Sequence, residues 1–292
     1  MPLEHVQTFV VRYYECDAFG HVRGVSLLRY MQEAAFDASA AAGYDMAHYE
    51  ELKRLWLVRE TDVESLLPLR YGDSVQVKTW VADFRRVRSR RMYEMRLAGS
   101  GELVVRASTD WVYLDTLTGR PATIPPEMIA AFFPEGMPGQ SLPRERLPSA
   151  PPPPPGVFTA RQRVTWREID GAQHVNNSNY LAYVEDCAML VMVAHGWPLT
   201  RMWSDGVALV ARRHQIEYLQ PAVLDDELEL ATWTSGMTGD SFVRHTTITR
   251  VSDGALSAQV RSVYGLLDLA TRKSVSIPSA FMADFVSNTA MS

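Results

Sequence analysis

A chain of 292 residues is long for one hydrophobic core and comfortable for two cores of about 140 residues each. Its two cysteines exclude a disulfide framework, its lack of any apolar run near ~18 residues excludes a membrane span, and its net charge of −5 argues against general nucleic-acid binding. The N-terminus lacks the basic-then-apolar order of a signal peptide, so we expect a cytoplasmic protein.

The first half of the chain predicts one strand, one long helix and then several strands. Alternating apolar and polar residues over 8–14 predict a strand, and turn residues follow it. Apolar residues at helical spacing predict a helix over 25–42, which Gly43 would end as a C-terminal cap. Strand patterns separated by turn signals then lie at 55–66, 74–84, 89–98 and 103–115.

The second half repeats the first at a constant offset of 153 residues. Without any gap, this offset aligns Asp17 with Asp170, His21 with His174, Tyr30 with Tyr183, Arg91 with Arg244 and Asp115 with Asp268. The copied pattern predicts a strand at 164–169, a helix at 178–195 and strands at 206–219, 227–234, 241–251 and 256–268. A repeat this long is a duplicated domain, since solenoid repeats have periods of about 20–50 residues.

Five consecutive prolines, at 151–155, lie between the two halves and are followed by Gly156. Such a tract cannot join a sheet and favours an extended polyproline helix, so it is typical of a semi-rigid spacer between domains. We therefore predict a first repeat at 1–140, a linker at 141–156 and a second repeat at 157–292.

The most informative stretch of each repeat is the turn between the first strand and the long helix. In the second repeat this turn contains Asp170 and His174, and Asn176 and Asn177 stand where the helix begins. Asparagine accepts hydrogen bonds from the N–H groups of a helix's first turn, and the remaining free N–H groups can stabilise a developing negative charge. A carboxylate, an imidazole and a helix N-terminus therefore meet in one short segment. The alternative is that Asp170 is a plain turn residue and His174 is structural.

The pattern Asp-x-x-x-His-Val-Asn-Asn at 170–177, between a predicted strand and a long helix, resembles the motif of the hot-dog thioesterases. This group includes 4-hydroxybenzoyl-CoA thioesterases and plant-type acyl-ACP thioesterases, and the resemblance covers nearly the whole chain. It implies an α+β fold in which each repeat packs one long helix on an antiparallel sheet. It also implies a tandem double hot-dog, a monomer whose repeats form an intramolecular pseudo-dimer, with a homodimer as the alternative assembly.

The resemblance further implies a thioester hydrolase that acts on acyl-ACP or acyl-CoA and needs no cofactor or metal. The catalytic candidates are Asp170, His174, Asp17 and His21, and the substrate-binding candidates at the helix starts are Asn176, Asn177 and Gly24. Asp170 would act as base or nucleophile, and the main-chain N–H of Asn177 would polarise the thioester carbonyl.

The chain departs from the plant-type motif at two places. That motif has an asparagine midway between its Asp and His, where this chain has Ala172 in the second repeat and Phe19 in the first. Its downstream acidic residue aligns with Pro221. The candidates for the missing acid are carboxylates on the long helices, namely Glu33, Glu185 and Asp186. The alternative is that these carboxylates are only solvated.

One segment of the first repeat is strongly basic. Its alternation places Arg86, Arg88 and Arg90 on one face of a predicted strand, whereas the corresponding residues of the second repeat are uncharged. We predict a docking patch for an anionic carrier, either the phosphates of CoA or an acyl carrier protein. A solvated strand face is the alternative.

Two other functions are compatible with the same fold. Hydratase-type hot-dog enzymes resemble Asp-x-x-x-x-His with an Asn-Pro in between, whereas this chain has Asp-x-x-x-His without proline. A protein that binds acyl thioesters without turnover is the second alternative. The sequence contains no Gly-rich nucleotide loop, no Gly-x-Ser-x-Gly and no His-Glu-x-x-His, so it offers no other catalytic motif of these kinds.

Overall fold

The computed structural model describes residues 1–137 and 143–290, and the chain divides into two compact units. The first unit is Met1–Arg146 and the second is Leu147–Ser292. Residues 141 and 142, which begin the predicted linker, lie outside the described residues. No helix in the described part of the chain has the length and apolar character that a membrane span requires.

The first unit packs one long helix with a five-stranded antiparallel sheet. Its N-terminal part contains β1 (Glu4–Val10), a 3-10 helix (Tyr13–Glu15), α1 (Gly24–Ala41) and α2 (Met46–Glu51). The remaining elements are β2 (Arg54–Ser65), β3 (Ser74–Arg85), β4 (Arg88–Leu97), β5 (Leu103–Asp115) and α3 (Pro126–Phe132). The strand order is β1-β3-β4-β5-β2, and every neighbouring pair is antiparallel.

The helix α1 packs because its apolar residues recur at helical spacing and form one continuous face. Its buried residues are Val25, Ser26, Leu27, Leu28, Tyr30, Met31, Ala34, Ala35 and Ala38. The helix contacts β1 and β3. Gly43, just after the helix, has a φ of +85°, which glycine adopts without steric cost, so the predicted C-terminal cap is confirmed.

The second unit repeats the order of helices and strands of the first and adds a short strand and a final 3-10 helix. Its N-terminal part contains β6 (Phe158–Arg163), a 3-10 helix (Trp166–Glu168), α4 (Asn177–Ala194) and α5 (Leu199–Ser204). Its sheet strands are β7 (Val207–Tyr218), β8 (Glu227–Thr238), β9 (Ser241–Arg250) and β10 (Leu256–Asp268), followed by β11 (Ser274–Val275), α6 (Ser279–Asp284) and a 3-10 helix (Val286–Asn288). The strand order is β6-β8-β9-β10-β7, with β11 paired to β10, and all of these pairs are antiparallel.

The predicted strand at 8–14 is correct only at residues 8–10, where β1 ends, and the predicted strand at 164–169 is wrong, because β6 ends at Arg163. Both segments contain a 3-10 helix. In the second unit the Thr165 N–H donates to Glu168 Oε2 at 2.6 Å, and the Glu168 N–H donates to the Thr165 carbonyl at 3.1 Å. This Thr-x-x-Glu capping box closes a tight turn. Apolar and polar residues alternate in this segment as they do in a strand, and this alternation is the reason for the wrong prediction.

The second sheet buries two histidines, His214 and His245, on opposite faces, and they should make the protein sensitive to acid. Burial lowers the pKa of both His214 and His245 to about 4, from an ordinary value of 6.5. Between these pH values the unfolded chain binds protons that the folded chain does not, so folding stability falls as pH falls. At pH 7 both histidines are largely neutral in the folded and in the unfolded chain, so they no longer change the free energy of unfolding.

We therefore expect the free energy of unfolding to decrease as pH is lowered from about 6.5 through about 4. His214→Gln should reduce that decrease by on the order of 3 kcal/mol, because one buried histidine no longer titrates. Urea denaturation at a series of pH values would measure it. A pH dependence unchanged by His214→Gln would contradict the assignment.

Candidate active site

The strand-to-helix turn of the second unit is a small closed loop. The Asp170 N–H donates to the His174 carbonyl at 3.1 Å, and the Gln173 N–H donates to the Asp170 carbonyl at 3.0 Å. Ile169 and Val175 form an isolated bridge at the base of the loop. Gln173 has a φ of +65°, a region that non-glycine residues rarely occupy. The main chain thus fixes Asp170 and His174 at opposite ends of one tight loop.

Both carboxylate oxygens of Asp170 accept hydrogen bonds. Oδ1 accepts from the Ala172 N–H at 2.9 Å, and Oδ2 accepts from Asn176 Nδ2 at 3.0 Å. The carboxylate is half-buried. These two donors hold the carboxylate in one orientation, as the role of a general base or nucleophile requires.

Asn176 joins this carboxylate to the start of α4. While its amide group donates to Asp170, its Oδ1 caps the helix by accepting from the Ser178 N–H at 3.0 Å and the Ser178 hydroxyl at 2.8 Å. The N–H of Asn177, the first residue of α4, donates to no acceptor among the described residues. An oriented carboxylate and an unused helix N–H are therefore linked by a single side chain.

His174 is half-buried, and its imidazole makes no hydrogen bond with any residue that the structure describes. The structure therefore joins Asp170 and His174 through the main chain, and no side-chain hydrogen bond between them exists among the described residues. The ring is chemically uncommitted, so it remains a candidate for contact with a substrate or a water molecule.

The main-chain carbonyl of Glu168, a buried residue next to the turn, holds the start of α4, and the sequence patterns do not predict this role. The Glu168 carbonyl accepts from the Asn176 N–H at 2.9 Å and from Asn179 Nδ2 at 3.0 Å. Burial and the neighbouring Glu168 carboxylate raise the pKa of the Tyr183 hydroxyl. Two signals could have identified this support: the Thr-x-x-Glu capping box and the presence of both Glu168 and Tyr183 in the 153-residue repeat.

The first unit builds the same loop with different donors. The Asp17 N–H donates to the His21 carbonyl at 2.7 Å, and Asp17 Oδ1 accepts from the N–H groups of Phe19, at 2.8 Å, and His21, at 2.9 Å. Gly20 stands at the position of Gln173 and has a φ of +79°. The His21 side chain is buried. Below the loop, the hydroxyl of Tyr30 donates to the Glu15 carboxylate.

The start of α1 differs from that of α4. Arg23 and Gly24 take the places of Asn176 and Asn177, and the Arg23 side chain makes no capping hydrogen bond. No side chain from this helix start donates to Asp17 among the described residues. Among the described residues, the second unit alone therefore combines a turn carboxylate with a side-chain donor from the start of the helix.

The prediction that Arg86, Arg88 and Arg90 share a strand face is wrong. Arg86 is exposed in the turn between β3 and β4, so its side chain does not follow the alternation of the strand. Arg90 is engaged in an ion pair, since its Nε donates to Asp110 Oδ1 at 3.0 Å. Only Arg88 fits the predicted strand position without an ion-pair partner among the described residues.

The three helix carboxylates proposed for the missing acid differ in environment. Glu33 and Asp186 are exposed, whereas Glu185 is half-buried on α4. Burial raises the pKa of the Tyr264 hydroxyl on β10, and the charge of the neighbouring Glu185 raises it further. Of the three, Glu185 has the environment that most resembles a functional site.

A long helix packed with an antiparallel sheet, with a carboxylate at the helix start, is an α+β arrangement consistent with the hot-dog thioesterases. Residues 2–132 match the family model of the acyl-ACP thioesterase N-terminal domain, and residues 164–285 match that of the thioesterase-like superfamily. The first half of the chain is therefore similar to an acyl-ACP thioesterase N-terminal domain, and the second half to a domain of the thioesterase-like superfamily.

Individual relatives agree with these matches. The chain is 28% identical over 189 residues to the acyl-[acyl-carrier-protein] hydrolase FATB2 of Cuphea viscosissima, a chloroplastic protein; the match covers 61% of this chain and 45% of the relative. It is 29% identical over 130 residues to the acyl-CoA thioester hydrolase YbgC of Escherichia coli, covering 44% of this chain and 96% of that protein. The chain thus spans about half the length of the plant relatives it matches.

Two solved structures share the fold. A Lactobacillus plantarum protein with a provisional assignment as an oleoyl thioesterase superposes with a TM-score of 0.79 at 17% identity, covering 90% of this chain and 96% of that one. The 12:0-ACP thioesterase of Umbellularia californica superposes with a TM-score of 0.68 at 21% identity, covering 89% and 93%.

Proposed function

We propose that this protein hydrolyses acyl thioesters of acyl carrier protein or CoA to the free acid and the thiol. The observation that carries the proposal is the oriented Asp170 carboxylate beside the unused N–H of Asn177. The names of its relatives, which are acyl-ACP and acyl-CoA thioester hydrolases, support it.

In this mechanism Asp170 acts on the thioester carbonyl carbon, either directly as a nucleophile or through a water molecule that it deprotonates. The carbonyl oxygen gains negative charge as the tetrahedral intermediate forms, and the Asn177 N–H stabilises that charge at the helix N-terminus. The carbon–sulfur bond then breaks and the thiolate leaves. Where water attacks, the acid forms directly and the proton held by Asp170 passes to the thiolate. Where Asp170 attacks, water then hydrolyses the acyl-aspartyl anhydride, which releases the acid and restores the carboxylate. His174 contacts the substrate or the attacking water, and Asn176 keeps the carboxylate and the helix N–H in register.

Release of free thiol from acyl-CoA and from acyl carrier protein substrates tests the proposal. Ellman's reagent measures that release continuously, and a panel of chain lengths on both carriers would define the substrate. A hydratase would change the acyl chain and leave the thioester intact, and a binding protein would release no thiol beyond one equivalent. The absence of turnover with every member of the panel would refute the proposal.

We also propose that the two units are tandem hot-dog repeats that pair as an intramolecular pseudo-dimer, within the boundaries predicted from the sequence. The 153-residue register and the order of elements that the two units share, from the first strand to the fifth sheet strand, support this arrangement. Light scattering after size-exclusion chromatography should then give the mass of one chain; the mass of a dimer would favour the alternative assembly. A cytoplasmic location remains a further proposal.

Arg86 and Arg88 are proposed to dock the anionic carrier rather than the acyl group. Neither arginine forms an ion pair with a described residue. Arg86 is exposed at the tip of the β3–β4 hairpin, and its main-chain carbonyl accepts from the Ile124 N–H at 2.9 Å. Exposed cations each contribute under about 1 kcal/mol but together steer association in a salt-dependent way.

The double variant Arg86→Gln/Arg88→Gln should raise KM for the carrier-bound substrate roughly 3- to 10-fold, flatten its dependence on ionic strength and leave kcat nearly unchanged. Arg272→Gln, which removes an exposed arginine from a turn of the second unit, is the matched control. If the double variant and Arg272→Gln change KM and its salt dependence equally, the hairpin arginines are only solvated.

A further inference from the structure

The second sheet carries three buried polar side chains in adjacent positions. His214 and Ser262 lie directly opposite each other on β7 and β10, and Tyr264 lies two residues further along β10. Directly opposed residues share a face of a sheet, as do residues two apart on a strand, so all three point to the same side. They are 4%, 1% and 4% exposed. We call His214, Ser262 and Tyr264 the His214 cluster.

The His214 cluster has unused hydrogen-bonding capacity. Nδ1 of His214 lies 2.7 Å from the Ser262 hydroxyl, but its Nε2 has no partner among the described residues, and the Tyr264 hydroxyl makes no hydrogen bond of normal geometry with them. The rings of His214 and Tyr264 meet edge to face with centroids 6.0 Å apart. Two unpartnered polar atoms therefore belong to neighbouring side chains. Buried polar groups are normally paired, by water or a ligand where the protein supplies no partner.

The cluster has no polar counterpart of the same kind in the first unit. The residues in register are Thr61, Thr109 and Trp111. There the Trp111 indole N–H donates to the Thr109 hydroxyl at 2.6 Å, and the Tyr93 hydroxyl lies 3.0 Å from the same oxygen. The aromatic donors of the first unit are thus paired, and of its three residues in register only the Thr61 hydroxyl lacks a partner among the described residues. In the second unit a neutral imidazole nitrogen and a phenol hydroxyl both lack one.

The helix α4 relates the cluster to the candidate active site. Its first residue is Asn177, and Glu185, eight residues later, lies close enough to Tyr264 to affect the pKa of its hydroxyl. Eight residues of α-helix span about 12 Å. A substrate bound by its thioester at the helix start and extended along α4 would therefore reach the cluster with its acyl chain.

We propose that the His214 cluster selects acyl thioesters whose acyl chain carries a neutral oxygen function, a hydroxyl or an oxo group. This inference rests on the thioester hydrolysis proposed above. Neutral imidazole and phenol groups can donate to and accept from such an oxygen. A site that hydrogen-bonds a substrate oxygen discriminates strongly against analogues that lack it, because its own buried groups are then left unpaired.

A carboxylate on the acyl chain is the alternative that the experiment separates. Arg244 lies opposite Ser262 on β9, and its guanidinium packs against the rings of Phe242 and Phe285. It donates to Asn288 Oδ1 at 3.3 Å, but its Nη2 has no partner among the described residues. Arg244 also has a counterpart in Arg91, so it does not distinguish the two units.

The experiment compares CoA thioesters of equal chain length that are unsubstituted, hydroxylated or oxidised to the ketone at successive positions, or terminated by a carboxylate. We expect at least one hydroxyl or oxo substrate to exceed the unsubstituted one in kcat/KM by about 10-fold or more. Tyr264→Phe, which removes only the hydroxyl, should reduce that ratio to about 3-fold or less. His214→Thr, which installs the residue of the first unit, should do the same.

Tyr93→Phe is the matched control, because it also removes a buried tyrosine hydroxyl but one that is already paired. It should leave the ratio intact. Dissociation constants of the same panel, measured by calorimetry on Asp170→Asn, report selection separately from turnover. Lack of turnover with unchanged selective binding would refute the proposed hydrolysis alone. Equal kcat/KM and equal dissociation constants for oxygenated and unsubstituted chains, or a preference confined to the carboxylate, would overturn the inference.

Discussion

Replacing Asp170 by asparagine should lower kcat for thioester hydrolysis by at least ~10²-fold while the protein stays folded, because a positioned base or nucleophile is lost. Asparagine has nearly the same shape, and its carbonyl oxygen can still accept from the Ala172 N–H. Its amide group would then face Asn176 Nδ2, so two donors meet where Asp170 Oδ2 now accepts at 3.0 Å. Thiol release measured under saturating substrate, together with thermal unfolding, would check the result.

Asp17→Asn is the internal control, and it should reduce kcat less. Asp17 sits in the same closed loop, but Arg23 and Gly24 replace the two asparagines at the helix start. Asp17 accepts only main-chain donors among the described residues, so its carboxylate is not tied to the helix. Equal losses from the two substitutions would indicate two equivalent sites and would contradict this asymmetry.

The sequence predicted most of the fold because duplication doubles the signal. Each strand pattern is read twice at an offset of 153 residues, and the strand at 103–115 and its copy at 256–268 match β5 and β10 at both ends. The short helices α2, α3, α5 and α6 are not predicted, since six or seven residues are too few to establish a helical period.

The candidate site was predictable as a set of residue types but not as a geometry. Asp170 and Asn176 stand out in the sequence, yet their hydrogen bond at 3.0 Å depends on Asn176 capping α4 with one end of its amide group and donating with the other. Gln173 at a φ of +65° is also invisible to sequence reasoning, because residue type would have favoured glycine there, as at Gly20.

The basic segment failed as a prediction for a tertiary reason. Alternation identifies which residues share a strand face, but it does not show which face another segment will cover. Arg90 lies opposite both Asp83 on β3 and Asp110 on β5, and these three form a row across the sheet. Arg144, 54 residues further along the chain, completes the cluster, and no local pattern could indicate that contact.

This row is a buried ion-pair network, and removing one of its charges should destabilise the first unit strongly. Arg144 Nε donates to Asp110 Oδ2 at 3.0 Å, and its Nη2 donates to Asp83 Oδ1 at 2.6 Å. Arg90 Nε donates to the other oxygen of Asp110 at 3.0 Å, and the Asp110 side chain is 0% exposed. Asp110→Asn would leave two arginines sharing fewer negative charges in a site that water does not reach.

We expect Asp110→Asn to lower the free energy of unfolding of the first unit by about 3–5 kcal/mol, the usual cost of breaking a buried ion pair from one side. Hydrogen exchange on peptides from β3, β4 and β5 should report it, because a chain of two units need not unfold in one step. The matched control is Arg161→Gln, which breaks an exposed ion pair with Glu227 and Glu229 and should cost at most about 1 kcal/mol. If Asp110→Asn and Arg161→Gln lower the free energy of unfolding equally, solvent screens the Asp110 network, and the network does not hold Arg144 against the sheet.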